Sequence, residues 1–330
     1  MQYLGLDDGH FSVKCVGVEQ QFTFPSKVVN GFYPFMSVIE DTNMSSLYTV
    51  EDNSNKYTVM SQDAISSTMR FLDTRTDDFP HSDINLVLIN HALLLSEVDS
   101  EVTICSGLPF QQYYINNAKN TKLIQKKKSN IERLVKIENS DKLPKIKEHK
   151  VVAEGVAGYF DLKFNSDGSL NDEIENIKQD GLICIVDIGG RTTDIVTMYN
   201  DAVDFNRSAT LDIGGLYLQD TITEKVKAKF GYNALPNKTI DALTKDGVYK
   251  NIDAQDIVNN AKKEMANEIA NAIKSKIGQN SDIGLIAFIG GGSLLLKEQL
   301  NKLYDNNLAR FVKDPIFSNA RGMCKMAKYL

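Results

Sequence analysis

Cysteine is scarce and unpaired: the four residues, at 15, 105, 184 and 324, include no C-x-x-C spacing. Three of them lie in or beside strand-like apolar runs, so the expectation is buried, reduced thiols in a cytoplasmic protein. An excess of basic charge is also lacking. With 37 Lys and Arg against 43 Asp and Glu the net charge is -6, which argues against direct DNA binding, since that needs a basic face. No basic n-region accompanies Asp7 and Asp8 near the start, so no secretory signal is expected. Long hydrophobic runs are missing too. The densest, Leu86 to Leu95, contains Asn90 and His91 and is far too short to span a bilayer. A Walker-type P-loop and G-x-G-x-x-G are absent, and so are H-E-x-x-H, G-x-S-x-G and a zinc-like Cys/His cluster, which removes the usual hydrolase classes.

What is present is a device that occurs twice. Leu6-Asp7-Asp8-Gly9-His10 and Val186-Asp187-Ile188-Gly189-Gly190 each follow an apolar run, pass a carboxylate and a glycine, and continue into a second β-like run. Apolar run, glycine turn, apolar run reads as a tight hairpin. The two carboxylates are 180 residues apart (187 minus 7) in a chain of 330, a length that allows roughly two domains. A duplicated domain, with two matching loops clasping one ligand, is the expectation.

Around these hairpins the chain reads as mixed α/β. Strands run up to Phe24, a polar hairpin spans Ser45 to Val59, and a helix capped by Ser82 or Asp83 covers Asp83 to Val98. A strand over Glu101 to Ser106 leaves through Gly107-Leu108-Pro109, and helical segments fill Tyr113 to Ile137. Within them Leu123, Ile124, Ile131, Leu134 and Val135 recur at helical spacing, which predicts that Lys126-Lys127-Lys128 lie on a solvated face. His149 to Ala153 is a strand feeding a short helix from Glu154, and polar Asn165 to Gly181 is the crossover. The second half opens with strands at Leu182 to Val186, Thr193 to Met198 and Ala202 to Ser208. Helices follow at Gly215 to Phe230, around Thr239 to Thr244 and at Ile257 to Ile277, and then a strand, Ile283 to Ile289, runs into Gly290-Gly291-Gly292. Strand-rich openings followed by βα alternation fit mixed sheets flanked by helices.

Glycine lets backbone N–H groups approach phosphate oxygens, and Gly9, Gly189 and Gly190 offer this from two loops. Asp7 and Asp187 beside a triphosphate are tolerable only with a cation, and Mg²⁺ held through its water shell by these carboxylates resolves the conflict. Lys14, ending the second strand of the first hairpin, is placed to pair with phosphate oxygens. Glu154, followed by the small residues of Gly155-Val156-Ala157-Gly158, is the candidate catalytic carboxylate that positions the attacking water.

Taken together these residues resemble the actin and heat-shock ATPase superfamily, and within it the ParM (StbA) family of plasmid-segregation actins. The resemblance runs nearly end to end. Leu6-Asp7-Asp8-Gly9 with Lys14 is similar to the first phosphate loop, and Asp187-Ile188-Gly189-Gly190 with Thr192-Thr193-Asp194 to the second. Glu154 with Ala157-Gly158-Tyr159 resembles the catalytic glutamate and its helix, Gly290-Gly291-Gly292 the adenosine loop, and Asn319 with Gly322-Met323 the final helix. Ile89-Asn90-His91-Ala92-Leu93-Leu94, and Leu108-Pro109 followed by Tyr113-Tyr114, resemble stretches special to ParM. Arg191 departs from the usual small residue.

The resemblance implies an actin-like, duplicated ribonuclease H-like fold: residues 1–165 with 310–330 in one domain and 166–309 in the other. It implies ATP or GTP with Mg²⁺ as cofactors, Glu154 and Asp187 as catalytic residues, and Asp7 and Asp187 on the metal through water. Nucleotide contacts fall to Asp7, Gly9, His10, Lys14, Gly189, Gly190, Arg191, Thr192, Gly214, Gly215, Lys262, Gly290, Gly291, Gly292, Ser293 and Asn319. The partners it implies are further copies of the chain in a polar helical filament, a ParR-like centromere-binding adaptor, and plasmid DNA only through that adaptor, in the bacterial cytoplasm. A sugar or carboxylate kinase of the same superfamily is the alternative.

Overall fold

The computed structural model describes residues 2–33, 45–61, 69–98, 100–138, 143–278, 282–304 and 308–330. The chain divides into two units, Met1–Ser169 with Asn319–Leu330 and Leu170–Ser318.

In the first unit the chain runs through β1 (Gln2–Asp8), β2 (Ser12–Val16), β3 (Gln21–Pro25), β4 (Val28–Asn30), β5 (Ser45–Val50) and β6 (Lys56–Met60). It continues with α1 (Asp83–Leu95), β7 (Val102–Leu108), α2 (Phe110–Tyr113), β8 (Tyr114–Ile115) and β9 (Ala118–Lys119). Then come α3 (Thr121–Ile131), β10 (Val135–Ile137), β11 (Ile146–Ala153) and α4 (Val156–Lys163). The main sheet has the order β11-β7-β1-β2-β3, and a second sheet has the order β10-β5-β6-β4. Leu86, Val87, Leu88 and Ile89 on consecutive positions of α1 are all fully buried. A helix apolar on every side must be covered on every side, and α1 packs on β1 and β2 of one sheet and on β5 and β6 of the other.

The second unit runs through α5 (Asp172–Asp180), β12 (Leu182–Ile188), β13 (Thr193–Tyr199), β14 (Ala202–Val203), β15 (Ala209–Leu211), α6 (Gly215–Phe230) and α7 (Asn237–Asp246). It ends with β16 (Val248–Tyr249), β17 (Ile252–Asp253), α8 (Gln255–Ile277), β18 (Ile283–Ile289), α9 (Gly291–Asn301) and β19 (Ala309–Phe311). Its sheet has the order β14-β13-β12-β18-β19, with β15 also on β13. Val186, Ile188 and Phe288 of the sheet share a core with Met265, Ile269 and Ile273 of α8. At about 1.5–3 kcal/mol for each fully buried aliphatic or aromatic side chain, such a core dominates the favourable side of folding.

The two main sheets repeat one plan. In each, the first strand pairs antiparallel with the second and parallel with the strand on its other side, and that strand is in turn parallel to the edge strand. The hairpins even share a register: Asp7 faces Lys14 in β1–β2, and Asp187 faces Asp194 in β12–β13. The duplication expected from the sequence is therefore a repeated sheet topology.

Three segments differ from the sequence expectation. Tyr113 to Ile137 is not continuously helical. Asn116 and Asn117 both take positive φ between β8 and β9, the conformation a two-residue hairpin demands, and Val135–Ile137 pairs with β5. Ala202 to Ser208 is not one strand. The Asp204 side chain accepts from the N–H groups of Asn206 and Arg207 and closes a 3-10 turn over Phe205–Arg207, the competition that short polar side chains mount against a ladder. The Asn165 to Gly181 crossover contains α5, whose N-cap Asn171 accepts from Glu173 N–H. The four cysteines are buried and free. No helix among the described residues is long and apolar enough to cross a membrane.

A polar knot holds the β5–β6 turn. Asp83 at the start of α1 accepts from Arg133 Nη1 at 2.6 Å, Asn53 Nδ2 at 2.9 Å, Asn55 Nδ2 at 3.2 Å and Tyr57 Oη at 2.9 Å. Burial pushes its carboxyl up, but these donors together outweigh burial and hold it at about 2, below its ordinary 3.8. A depressed carboxyl adds stability above its unfolded-chain value and loses it as pH falls through its folded value. Asp83→Asn is therefore expected to melt earlier than the wild type at neutral pH, with the difference shrinking between about pH 4 and pH 2. Melting curves across that range check it, and a pH-independent difference contradicts it.

Candidate functional site

In the first unit, β1, β7 and β11 run parallel and end together, with Leu6 and Val151 both in register with Ser106 and Ala153 in register with Leu108. Asp7, Asp8, Gly107 and Glu154 thus gather at the carboxyl ends of these strands, the edge where open α/β sheets bind ligands. Strand alternation sends Asp7 and Asp8 to opposite faces, and each meets a lysine. Lys14 Nζ lies 3.4 Å from Asp7, with both side chains slightly exposed at 16% and 11%. Lys127 Nζ lies 2.6 Å from Asp8, with side chains exposed by only 1% and 3%. Burial raises the Asp7 carboxyl above its ordinary value; Lys14 opposes the rise and Asp8 adds to it. A desolvated carboxylate of this kind gains most from an incoming cation.

Glu154 sits in the turn between β11 and α4. Its N–H donates to the Leu108 carbonyl at 2.9 Å, and the next residue, Gly155, has φ +75. The Gly155 N–H donates to Asn319 Oδ1 at 3.1 Å, so Asn319 fixes the turn that carries Glu154. The Glu154 side chain lies along Gly107: a Cβ at that position would stand 2.9 Å from its Cγ and Oε1. His10 has its ring 4.9 Å from that of Phe79, its Nδ1 on the Thr74 carbonyl, and its own carbonyl accepting from Thr74 Oγ1 at 2.7 Å.

In the second unit, Asp187 stands in register with Ile289, at the ends of the parallel strands β12 and β18. Gly290 follows with φ +80, and a Cβ there would run into Asp187 Oδ1 and the Ile188 carbonyl. The hairpin turn closes through Gly189 N–H on the Thr192 carbonyl at 2.9 Å. It is then clamped to the start of α6, where Gly215 N–H donates to Gly189 O at 2.9 Å and Leu216 N–H to Gly190 O at 2.8 Å. Helix N-termini leave such donors without intrahelical partners, and here the turn's carbonyls take them. Gly214 is required by the close approach, since a Cβ would stand 2.6 Å from Gly190 O. Arg191 and Thr192 are half-buried in the turn. Gly291, Gly292 and Ser293 form the first turn of α9, with Ser293 Oγ donating to Gly290 O at 2.7 Å. Lys262 on α8 lines a groove of about 440 Å³ with Leu294, Leu295 and Glu298 of α9. Its ammonium donates to the Lys245 carbonyl at 3.2 Å, and burial lowers its affinity for a proton.

Among the described residues no three His, Cys, Asp or Glu side chains converge as a metal cage. One hard carboxylate at each turn suits Mg²⁺, which keeps much of its water and takes few protein ligands. Each carboxylate, taken in its own unit, is a donor of the kind Mg²⁺ accepts.

One expectation is corrected. Lys127 is not on a solvated helix face: it is 1% exposed, between Asp8 and the Gly107 carbonyl, to which Nζ donates at 2.5 Å. The signal was available, because Ile124, Lys127 and Ile131 recur at helical spacing and share a face of α3. Sequence reasoning also missed Asn85, whose Nδ2 donates to Asp8 Oδ2. It missed the buried Ser106–His149 pair at 2.8 Å as well, where burial first, and Lys127 next, hold the imidazole down at about 3 and hence neutral.

Two sheets of one strand order, each opened by a hairpin with a carboxylate at its entry, define an actin-like protein. Residues 3–164 match the family model "Plasmid segregation protein ParM, N-terminal", and residues 185–302 match "Archaeal actin homologue MreB-like, C-terminal". The chain has the actin-like fold, and it is ParM/StbA-like over residues 3–164 and like the archaeal MreB-type actin homologues over residues 185–302. No curated protein matches it in sequence. A non-polymerisable quadruple mutant of pCBH ParM superposes with a TM-score of 0.79 at 20% identity, covering 100% of this chain and 99% of that one. A 15-stranded ParM filament from Clostridium botulinum gives the same score, identity and coverage, 0.79, 20%, 100% and 99%. The archaeal actin homologue Ta0583 in complex with ADP gives 0.76 at 20% identity, covering 99% of each chain.

Proposed function

We propose that the chain binds ATP or GTP with Mg²⁺, polymerises into a polar filament, and hydrolyses the nucleotide to make that filament unstable. Its cellular work is the segregation of plasmid DNA, reached through a ParR-like adaptor in the bacterial cytoplasm. The single observation that carries this reading is the repeated hairpin, with a carboxylate and a glycine turn at the carboxyl end of the sheet in both units. The family match, and the filament and ADP complex among proteins of the same fold, support it. The net charge of -6 agrees with indirect contact to DNA.

Each residue then has a task. Asp7 and Asp187 would hold Mg²⁺ through water, and the cation would supply charge neutralisation at the phosphates. Lys14, the more accessible of the two lysines, leaves Asp7 for a phosphate oxygen, while the Asp8–Lys127 pair stays in place. The turn residues Gly9, His10, Gly189, Gly190, Arg191 and Thr192 line the phosphates, and Gly214 and Gly215 back the second turn. Gly290, Gly291, Gly292 and Ser293, with Lys262 and Asn319, serve the nucleoside. Glu154 orients the attacking water and accepts its proton, and Asp187 is the second catalytic carboxylate.

Steady-state phosphate release with Mg-ATP, run with and without added hexoses, tests the chemistry. Release that is independent of sugar is expected. Sugar phosphorylation, with negligible release in its absence, overturns the ATPase reading in favour of a small-molecule kinase.

A further inference from the structure

We infer that Lys127 is a positioning residue for Glu154. The inference rests on the reading of Glu154 as the carboxylate that orients water. Lys127 comes from α3, and its ammonium reaches two strand ends at once, Asp8 Oδ2 on β1 at 2.6 Å and the Gly107 carbonyl on β7 at 2.5 Å. Gly107 is the surface on which the Glu154 side chain rests. A Cβ at 107 would be 2.9 Å from Glu154 Cγ and Oε1 and 2.6 Å from Met323 Cε on its other side. The carbonyl that Lys127 holds therefore belongs to the residue against which the Glu154 side chain packs.

The chemistry of the pair favours this role over a purely stabilising one. Taking two charges out of water offsets most of their attraction, so a buried ion pair is a poor source of stability beside apolar packing. A compact ammonium with three donors on a long stem can satisfy a carboxylate and a backbone carbonyl together. Asn85 holds the same carboxylate of Asp8 from α1, so β1, β7, α1 and α3 meet at one polar joint directly behind Glu154. Small displacements of a reacting group are costly, about a hundredfold for 1 Å.

Two variants test it, Lys127→Met and the double variant Asp8→Asn/Lys127→Met, which removes the charge that the single change leaves buried. Crystal structures are expected to show the Glu154 carboxylate displaced from Gly107 in both. With Mg-ATP, kcat is expected to fall roughly a hundredfold, while KM stays within about threefold. The double variant is expected to recover melting temperature but not kcat. A carboxylate still seated on Gly107, or a double variant that recovers kcat along with its melting temperature, overturns the inference. If the wild type releases no phosphate, the reading of Glu154 fails on its own, and the position of its carboxylate in the variant crystals still decides the role of Lys127.

Discussion

Glu154→Ala is expected to slow phosphate release by about a hundredfold or more, the range that removing a positioned proton acceptor gives. Nucleotide binding is expected to change little, because the turns proposed to line the phosphates, at Gly9 in one hairpin and at Gly189 and Gly190 in the other, do not include Glu154. Filaments of this variant are expected to assemble and to persist, since the hydrolysis that destabilises them is gone. The fold around the site should tolerate the change: Asn319 and the Leu108 carbonyl hold the backbone of the turn through the N–H groups of Gly155 and Glu154, not through the carboxylate. Phosphate release at the wild-type rate would remove Glu154 from the mechanism.

The second large effect belongs to Asp187 and the glycine it touches. Asp187→Ala is expected to weaken Mg-ATP-dependent assembly, with partial recovery in excess magnesium. It should also diminish the rise in melting temperature that Mg-ATP gives the wild type by mass action. Gly290→Ala reaches the same carboxylate through sterics. Gly290 has φ +80 and ψ 165, a region essentially reserved for glycine, where another residue costs of order 1–3 kcal/mol. The added Cβ would also push Asp187 aside. Both variants are expected to lose most of the Mg-ATP-dependent thermal shift, and Gly290→Ala is in addition expected to melt earlier without nucleotide. An undiminished shift in either would show that this carboxylate is not at the phosphates.

Much of this architecture is legible in the chain because local and global signals agree there. The Asp-Ile-Gly turn at Asp187 and the Asp-Asp-Gly turn at Asp7 lie between apolar runs, and both fold as hairpins with one register. The strand, triple glycine and helix at Ile283 to Asn301 is likewise found as read, as β18 and α9. Legibility fails where short polar residues rule the backbone. Asn116 and Asn117 open a hairpin inside a helical pattern, and Asp204 stops a strand by capping its own turn. It fails again at Lys127, where residue type and position conflict. A run of three lysines reads as solvated, yet the helical period puts the middle one among Ile124, Asn130 and Ile131. Asp8, 119 residues distant in sequence, makes that burial possible, and no local pattern announces it.

High-speed sedimentation of the purified protein across a range of concentrations tests the central claim most directly. A head-to-tail interface between identical subunits that does not close on itself propagates as an open helix. With Mg-ATP or a slowly hydrolysed analogue, the protein is expected to pellet above a critical concentration, to stay in the supernatant without nucleotide, and to return there as ATP is consumed. Protein that remains soluble across the micromolar range with ample Mg-ATP or Mg-GTP would contradict nucleotide-driven assembly.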